Sequence, residues 1–235
     1  MNEAQRIAHL PWALISESLS QYGCAKTPQI LQPSECADLR QLYTTESHFR
    51  KRVNMAQHGF GSGEYKYFAY PLPDMIATLR TVLYRQLVTI ANQWQEQLGL
   101  PERFPPEHAA FVAQCHAAGQ NRPTPLLLRY GANDYNCLHQ DLYGPMVFPL
   151  QVVFLLSKPD VDFQGGAFVL TEQRPRSQSR AEVVHLTQGE AVIFAVNARP
   201  TPSARGSRRV NLRHGVSRII QGERVTLGII FHDAA

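Results

Sequence analysis

Cysteine is scarce in this chain. Only Cys24, Cys36, Cys115 and Cys137 occur in 235 residues, and no two of them form a CxxC pair. That spacing excludes a zinc knuckle and a thiol redox motif. No long apolar core follows Met1-Asn2-Glu3-Ala4-Gln5-Arg6, so the expectation is free thiols in a reducing, cytoplasmic setting. No run approaches the ~18 consecutive apolar residues of a membrane span, and no membrane partner is expected. HExxH, GxSxG and Walker strings are missing too, which sets aside zincins, serine hydrolases of that type and P-loop NTPases. What is present is ordinary for a globular chain: 44% hydrophobic and 18% charged residues. A disordered polyelectrolyte is thereby ruled out.

The charge is unevenly spread. From Thr171 to Arg224 there are ten Arg, four Glu and neither Lys nor Asp, a balance of +6 within a chain whose net charge is +4. Arginine forks onto carboxylates and phosphates, so this bias hints at anionic ligands. Arg174, Arg176, Arg208, Arg209 and Arg213 are the residues placed to meet phosphates, with a solvated sheet face as the plainer alternative.

The two halves differ in period. Ile76, Leu79, Leu83, Leu87, Ile90, Trp94 and Leu98 step by three and four and predict an amphipathic helix over Met75–Leu98, capped by Asp74 and stopped by Gly99 and Pro101. Shorter helices are expected over Pro33–Tyr43 and Glu107–Ala118, and an extended piece over Tyr65–Tyr70. After Pro125 short apolar runs alternate with turns. They predict strands near Leu126–Tyr130, Cys137–Asp141, Val147–Leu156, Ala167–Thr171, Val183–Leu186, Ala191–Val196, Val210–Val216 and Val225–Phe231. Pro149 implies an edge or a bulge, and Asn197–Ser207 reads as a long loop. The fold class is therefore α+β. A mainly helical part (1–124) packs on a sandwich or jelly-roll core (125–235) within one structural domain.

The chemistry concentrates in the second half. Residues two apart on a strand project to one face, so His139 and Asp141 of His139-Gln140-Asp141 aim an imidazole and a carboxylate together. His214, on a later strand, is the best third donor. Two His and one carboxylate leave open positions suited to Fe(II) and O2. Arg224 and Thr226 repeat the period of two and equip one face to grip the far carboxylate of a small diacid, with Tyr130 as a further partner; an ion pair of Arg224 with a nearby Glu and a core role for Tyr130 are the plainer alternatives. Cys137 shares the face of His139 and reads as packing. Gly59-Phe60-Gly61-Ser62-Gly63 reads as a flexible loop, or more sharply as a substrate-covering lid; its aromatics (Phe60, Tyr65, Tyr67, Phe68, Tyr70) read as half-buried strand packing, or more sharply as a platform for a flipped base.

Taken together, Leu128-Arg129-Tyr130-Gly131, His139-Gln140-Asp141, Gly165-Gly166-Ala167-Phe168, His214-Gly215-Val216 and Arg224-Val225-Thr226 resemble the 2-oxoglutarate/Fe(II)-dependent oxygenases. Three further strings resemble a bacterial, broadly AlkB-like group acting on alkylated DNA. These are Gly59–Tyr65, Val169–Arg176 and Val210–Ser217. The resemblance implies a double-stranded β-helix. It implies His139, Asp141 and His214 as iron ligands, and Arg224 on the distal carboxylate of 2-oxoglutarate, helped by Thr226 and Tyr130. The implied reaction consumes O2 and turns the co-substrate into succinate and CO2. An N-methyl group is hydroxylated and lost as formaldehyde, with alkylated DNA or RNA as the partner. Two departures stand out. Leu128 occupies the place of an Asn that helps hold the co-substrate in AlkB-type enzymes, and the short step from His214 to Arg224 is similar to prolyl-hydroxylase-type members. A peptidyl-proline or small-molecule hydroxylase, a non-catalytic sensor of iron or 2-oxoglutarate, and more remotely a zinc hydrolase are the alternatives.

Overall fold

The computed structural model describes residues 1–174, 176–203 and 206–235. Pro175, in the string after Val169, and Ala204 and Arg205, in the expected loop, lie outside the described residues. Two helices that the apolar pattern did not announce open the chain. α1 (Glu3–Ala8) starts on a capping box between Asn2 and Gln5. α2 (Trp12–Tyr22) buries Ile15 and Leu19 and ends at Gly23. The left-handed backbone of Gly23 (φ 80°) lets its N–H donate to the Leu19 carbonyl, and a side chain there would run into Leu212 and Arg199. There follow β1 (Cys24–Lys26), α3 (Pro33–Gln41), β2 (Phe49–Asn54), β3 (Gly61–Ser62), β4 (Glu64–Phe68), α4 (Asp74–Gln97) and α5 (His108–Ala117). α4 buries the predicted stripe Ile76, Leu79, Leu83, Leu87, Ile90 and Trp94. Its start differs from expectation in one detail. Pro73 holds the cap position and Asp74 is the first helical residue, where the positive end of the helix dipole favours its charge.

The second half supplies β5 (Leu126–Tyr130), β6 (Tyr135–His139), β7 (Leu150–Leu155), β8 (Phe163–Gly165), β9 (Phe168–Gln173) and β10 (Arg180–Val184). It continues with β11 (Ala191–Ala195), β12 (Ala198–Ser203), β13 (Gly206–Val216), β14 (Ile219–Gly222) and β15 (Arg224–Ile229). One sheet runs β1-β11-β7-β15-β5-β4-β2 and the other β10-β9-β13-β6-β3, with β8 and β14 forming a small pair. Every strand pair within the two large sheets is antiparallel. The two sheets face one another as a double-stranded β-helix. β7, β11 and β15 are buried along their whole length and form the centre of the core.

Three sequence expectations are corrected. The first 124 residues are more than a helical buttress, because β1, β2 and β4 extend the seven-stranded sheet on both sides. Their short lengths and lack of alternating burial leave no period of two to stand out beside the helical stripes. Asn197–Ser207 is not a loop: β12 pairs with β13 from Ala198↔Asn211 to Ser203↔Gly206. Its prolines are tolerated because β12 pairs on one side only, so a missing N–H costs no ladder bond. Its Arg199, which reads as a loop charge, is buried against the buried Glu172, with Nε 2.9 Å from the carboxylate. Finally, Pro149 neither bulges nor edges a strand. It precedes β7 and uses only its carbonyl, which accepts from the Val196 N–H at 2.9 Å.

The helices are bolted to the sheets by a buried polar junction. Arg80 of α4 donates to the Ile230 carbonyl at 2.8 Å and to Asp233 at 2.7 Å, with both side chains almost fully buried. Tyr70 donates to the other carboxylate oxygen at 2.9 Å, and His116 of α5 lies at the same distance from it. Burial pushes the Asp233 carboxyl up, but the Arg80 charge and these hydrogen bonds hold it below its ordinary value. Removing one partner of such a pair strands the other charge in the interior. Asp233→Asn should therefore lower the unfolding free energy by about 3–5 kcal/mol at neutral pH, measured by denaturant titration. Because the folded carboxyl is depressed, its contribution is present above the unfolded pKa and fades as pH falls through the folded one. The gap between wild type and variant should narrow towards acid, and equal stability at neutral pH would refute the junction.

Candidate active site

β6 and β13 are neighbours in the six-stranded sheet, and their register sets His139 directly opposite His214. Cross-strand partners share a face, so the two imidazoles lie side by side with ring centroids 4.2 Å apart. The strands can approach this closely because residue 215 is glycine: a Cβ there would stand 2.6 Å from the Asn136 carbonyl oxygen. Asp141 falls two residues past the end of β6 rather than inside a strand, yet its carboxylate still comes to both rings. Oδ1 is 3.5 Å from His139 Nε2 and Oδ2 is 3.4 Å from His214 Nε2. The three donor atoms lie within 4.8 Å of one another.

The protonation pattern suits a divalent metal. His139 Nδ1 is 2.8 Å from the Cys137 carbonyl. A carbonyl only accepts, so Nδ1 carries the proton and Nε2 presents its lone pair to the trio. Burial pushes the Asp141 carboxyl up, but the two imidazoles beside it hold it well below the usual carboxylate range. Burial and the neighbouring His139 push His214 down, towards the neutral ligand form. His214 Nδ1 has no partner among the described residues. Its ring is oriented by packing instead, between Phe194 at 4.6 Å and the stacked Phe168 at 6.0 Å. Two imidazole nitrogens and a carboxylate on one side of an open space are the donor set suited to Fe(II).

The facing wall belongs to the seven-stranded sheet. Arg224 pairs across strands with Tyr130, and Thr226 with Leu128, so all four belong to one patch of β5 and β15. Gly166 makes room for the arginine, since a Cβ there would sit 2.8 Å from Arg224 Cδ. Arg224, Thr226 and Tyr130 are each at most 2% exposed. Among the described residues no anion pairs with the guanidinium: Nε and Nη1 have no partner there, and its carbon lies 5.8 Å from the Tyr130 ring centre and 6.0 Å from that of Phe163. Burial pushes its pKa down to about 10. A cavity of about 310 Å³ connects both walls, lined by His139, Asp141 and His214 on one side and Arg224, Thr226 and Tyr130 on the other. Its size and its single buried cation suit a small dicarboxylate bridging from metal to guanidinium.

Residues 63–234 match the family Oxygenase-NA, described as an oxygenase catalysing oxidative methylation of damaged DNA. The chain belongs to this family. Two curated relatives, from two strains of Mycobacterium tuberculosis and described only as uncharacterized, are each 49% identical over 168 residues, which is 72% of this chain and 72% of theirs. A Pseudomonas putida prolyl-4-hydroxylase superposes with a TM-score of 0.56 at 12% identity, covering 95% of this chain and 99% of that one. An oxidoreductase of the 2OG-Fe(II) oxygenase family from Burkholderia pseudomallei gives 0.54 at 14% identity, covering 95% and 93%. These two likenesses carry the fold, which this Oxygenase-NA member shares.

Several side chains at the site escaped the sequence reading. Tyr143 donates to Asp141 Oδ1 at 2.6 Å and accepts from Tyr67 at 2.9 Å. The period of two that links residues 139 and 141 extends to 143, and that was the available signal. Gln151 is a lone amide in the apolar run Leu150–Leu155. It is 3% exposed, lines the cavity and has an unpartnered Oε1. Asn136 donates to the Tyr130 hydroxyl at 3.3 Å. Two readings are corrected. Cys137 is an exposed thiol on the cavity wall rather than packing, because β6 ends at the mouth. The 59–63 segment is no free loop: Gly61 and Ser62 pair with β6, and the Cys137 N–H donates to the Phe60 carbonyl at 2.9 Å. Phe60 itself stays exposed at the rim, stacked 5.3 Å from His58. In the described residues no helix is long and apolar enough to cross a membrane.

The Tyr143 bond leaves Asp141 Oδ2 as the free oxygen and orients it. Tyr143→Phe should weaken binding of Co(II), a redox-quiet probe, by about tenfold, read by anaerobic titration of its absorbance. An unchanged affinity would show that Tyr143 does not set the carboxylate.

Proposed function

We propose that this protein is an Fe(II)/2-oxoglutarate-dependent dioxygenase that removes alkyl groups from bases of damaged DNA or RNA. The observation that carries the cofactor assignment is the buried Arg224 guanidinium, which lacks an anion and lines the same cavity as the His139, Asp141 and His214 donors. An unpaired interior charge is costly, and a ligand carboxylate relieves that cost. Arg224 would bind the distal carboxylate of 2-oxoglutarate, with Thr226 and Tyr130 beside it. His139, Asp141 and His214 would hold Fe(II), which when bound supplies O2 activation coupled to co-substrate decarboxylation. The protein's own contribution is geometric. It fixes three donors on one wall, pins the co-substrate on the other, and surrounds both with apolar side chains that exclude water. The described activity of the family supports nucleic acid as the substrate.

A second reading has its own support. Leu128 lies opposite Thr226 where AlkB-type enzymes have an Asn, and solved prolyl hydroxylases share the fold. Product chemistry separates the two readings. Hydroxylation of an N-methyl group yields an unstable hemiaminal that releases formaldehyde, whereas a prolyl or metabolite hydroxylase leaves a stable alcohol.

Purified protein with Fe(II), 2-oxoglutarate and air should release formaldehyde from an N-methylated oligonucleotide in step with succinate. Succinate without formaldehyde across DNA and RNA substrates would overturn the nucleic-acid substrate. For the co-substrate site, Arg224→Gln should weaken 2-oxoglutarate binding to the Mn(II)-loaded protein by about a hundredfold, measured by calorimetry. Wild-type affinity in that variant would remove Arg224 from its assigned role.

A further inference from the structure

A second groove adjoins the cavity on the six-stranded sheet. It is lined by Leu138, Gln140, Leu142, Thr171, Gln173, Ser179, Asn197, Arg209, Asn211 and Arg213, and it shares Leu138 and Gln140 with the metal cavity. Two of these residues are cations and none is an acid. Arg209 and Arg213 are exposed and take part in no ion pair among the described residues. The contrast with their neighbours is sharp. Arg174 and Arg199, from the same Arg-rich segment, are paired with Glu172, and Arg180 lies between Glu182 and Glu172.

Period two explains the groove. On β13, Val210, Leu212 and His214 are buried, so Arg209, Asn211 and Arg213 emerge on the opposite face. Four residues of strand put the two arginines about 13 Å apart, more than one phosphodiester step of an extended chain. Between them and beside them stand amides and hydroxyls (Asn211, Gln173, Thr171). Leu138 (44% exposed), which also lines the cavity, and Leu142 (47%) add exposed apolar surface to the groove. Cations for phosphates, neutral polar groups for base and sugar edges, and an apolar step at the threshold form the pattern of a single-strand track. The cavity lies between two sheets and admits a base only after it has left its stack.

We propose that this groove binds the phosphodiester backbone of a single-stranded nucleic acid segment next to the target base, with Arg209 and Arg213 as the phosphate contacts and Leu138 as the step into the cavity. This rests on the nucleic-acid reading above and assigns that reading a surface. The test is fluorescence anisotropy with an unmodified single-stranded DNA 12-mer across a salt series, using the full chain. Arg209→Ala/Arg213→Ala should bind about tenfold more weakly than wild type at 0.1 M salt. Its slope of log affinity against log salt should be shallower by about 1.4, at roughly 0.7 per lost single-strand contact. Thermal unfolding checks that the variant is folded. Lys51→Ala/Lys158→Ala removes the same charge from exposed positions outside the groove and should bind as wild type does. If the arginine variant binds as wild type, or the lysine variant loses as much, the groove is overturned while the nucleic-acid reading stands. If wild type binds no oligonucleotide, or a poly-glutamate peptide of equal charge binds better, the nucleic-acid reading itself fails.

Discussion

A guanidinium held between two β-sheets with no carboxylate to meet it is the constraint around which this molecule is organised. Interior charges are normally paired, and the same protein shows how: Arg80 is matched by Asp233 and Arg199 by Glu172, each in a buried pair. Arg224 is the exception. Its pKa is pushed down by burial, Gly166 clears a place for its side chain, and its cross-strand neighbour is a phenol rather than an acid. A fold that spends a glycine and a buried cation on one spot, and leaves that cation unanswered, leaves the answer to a ligand.

The opposite wall follows complementary rules. A carboxylate between two imidazoles stays anionic despite its burial, and the Cys137 carbonyl decides which nitrogen of His139 faces the space. Tyr143 and Tyr67 form a hydrogen-bonded chain behind Asp141, while the far side of the His214 ring meets aromatic packing rather than a polar partner. The far sides of the two imidazoles are thus met by different means, one by a polar contact and one by ring contacts. An electron-rich donor set on one sheet and a bare cation on the other define an axis along which a keto-diacid would lie. The Arg80–Asp233 junction fastens the helices behind the sheets.

Much of this was legible before any coordinates. The period of two joined Arg224 to Thr226 and the steps of three and four marked α4, because those regularities are local and need only strand or helix geometry; the period of two also nominated Asp141 beside His139, although Asp141 reaches the trio from beyond the end of β6. The third donor, His214, could be nominated only by type and resemblance: its register opposite His139 depends on a pairing 75 residues away in sequence. Gln151 and Tyr143 were visible as polar residues out of place but had no partner in the sequence to give them meaning. Arg199 shows the opposite error. It read as part of a polar loop because the acid that neutralises it, Glu172, lies on another strand.

The linear chain by itself determined most strands of the β-rich half, the closeness of His139 and Asp141 along the chain and the cationic bias of the segment from Thr171 to Arg224. These depend on neighbours within a few residues. Tertiary structure alone decided which arginines were consumed and which remained free, that a cysteine expected in the core faces the cavity, and that a glycine-rich segment is zipped onto β6. The reason is that charge compensation, burial and strand pairing are settled by partners far away in sequence, and two arginines of one strand or segment look alike until the fold brings an acid to one and solvent to the other.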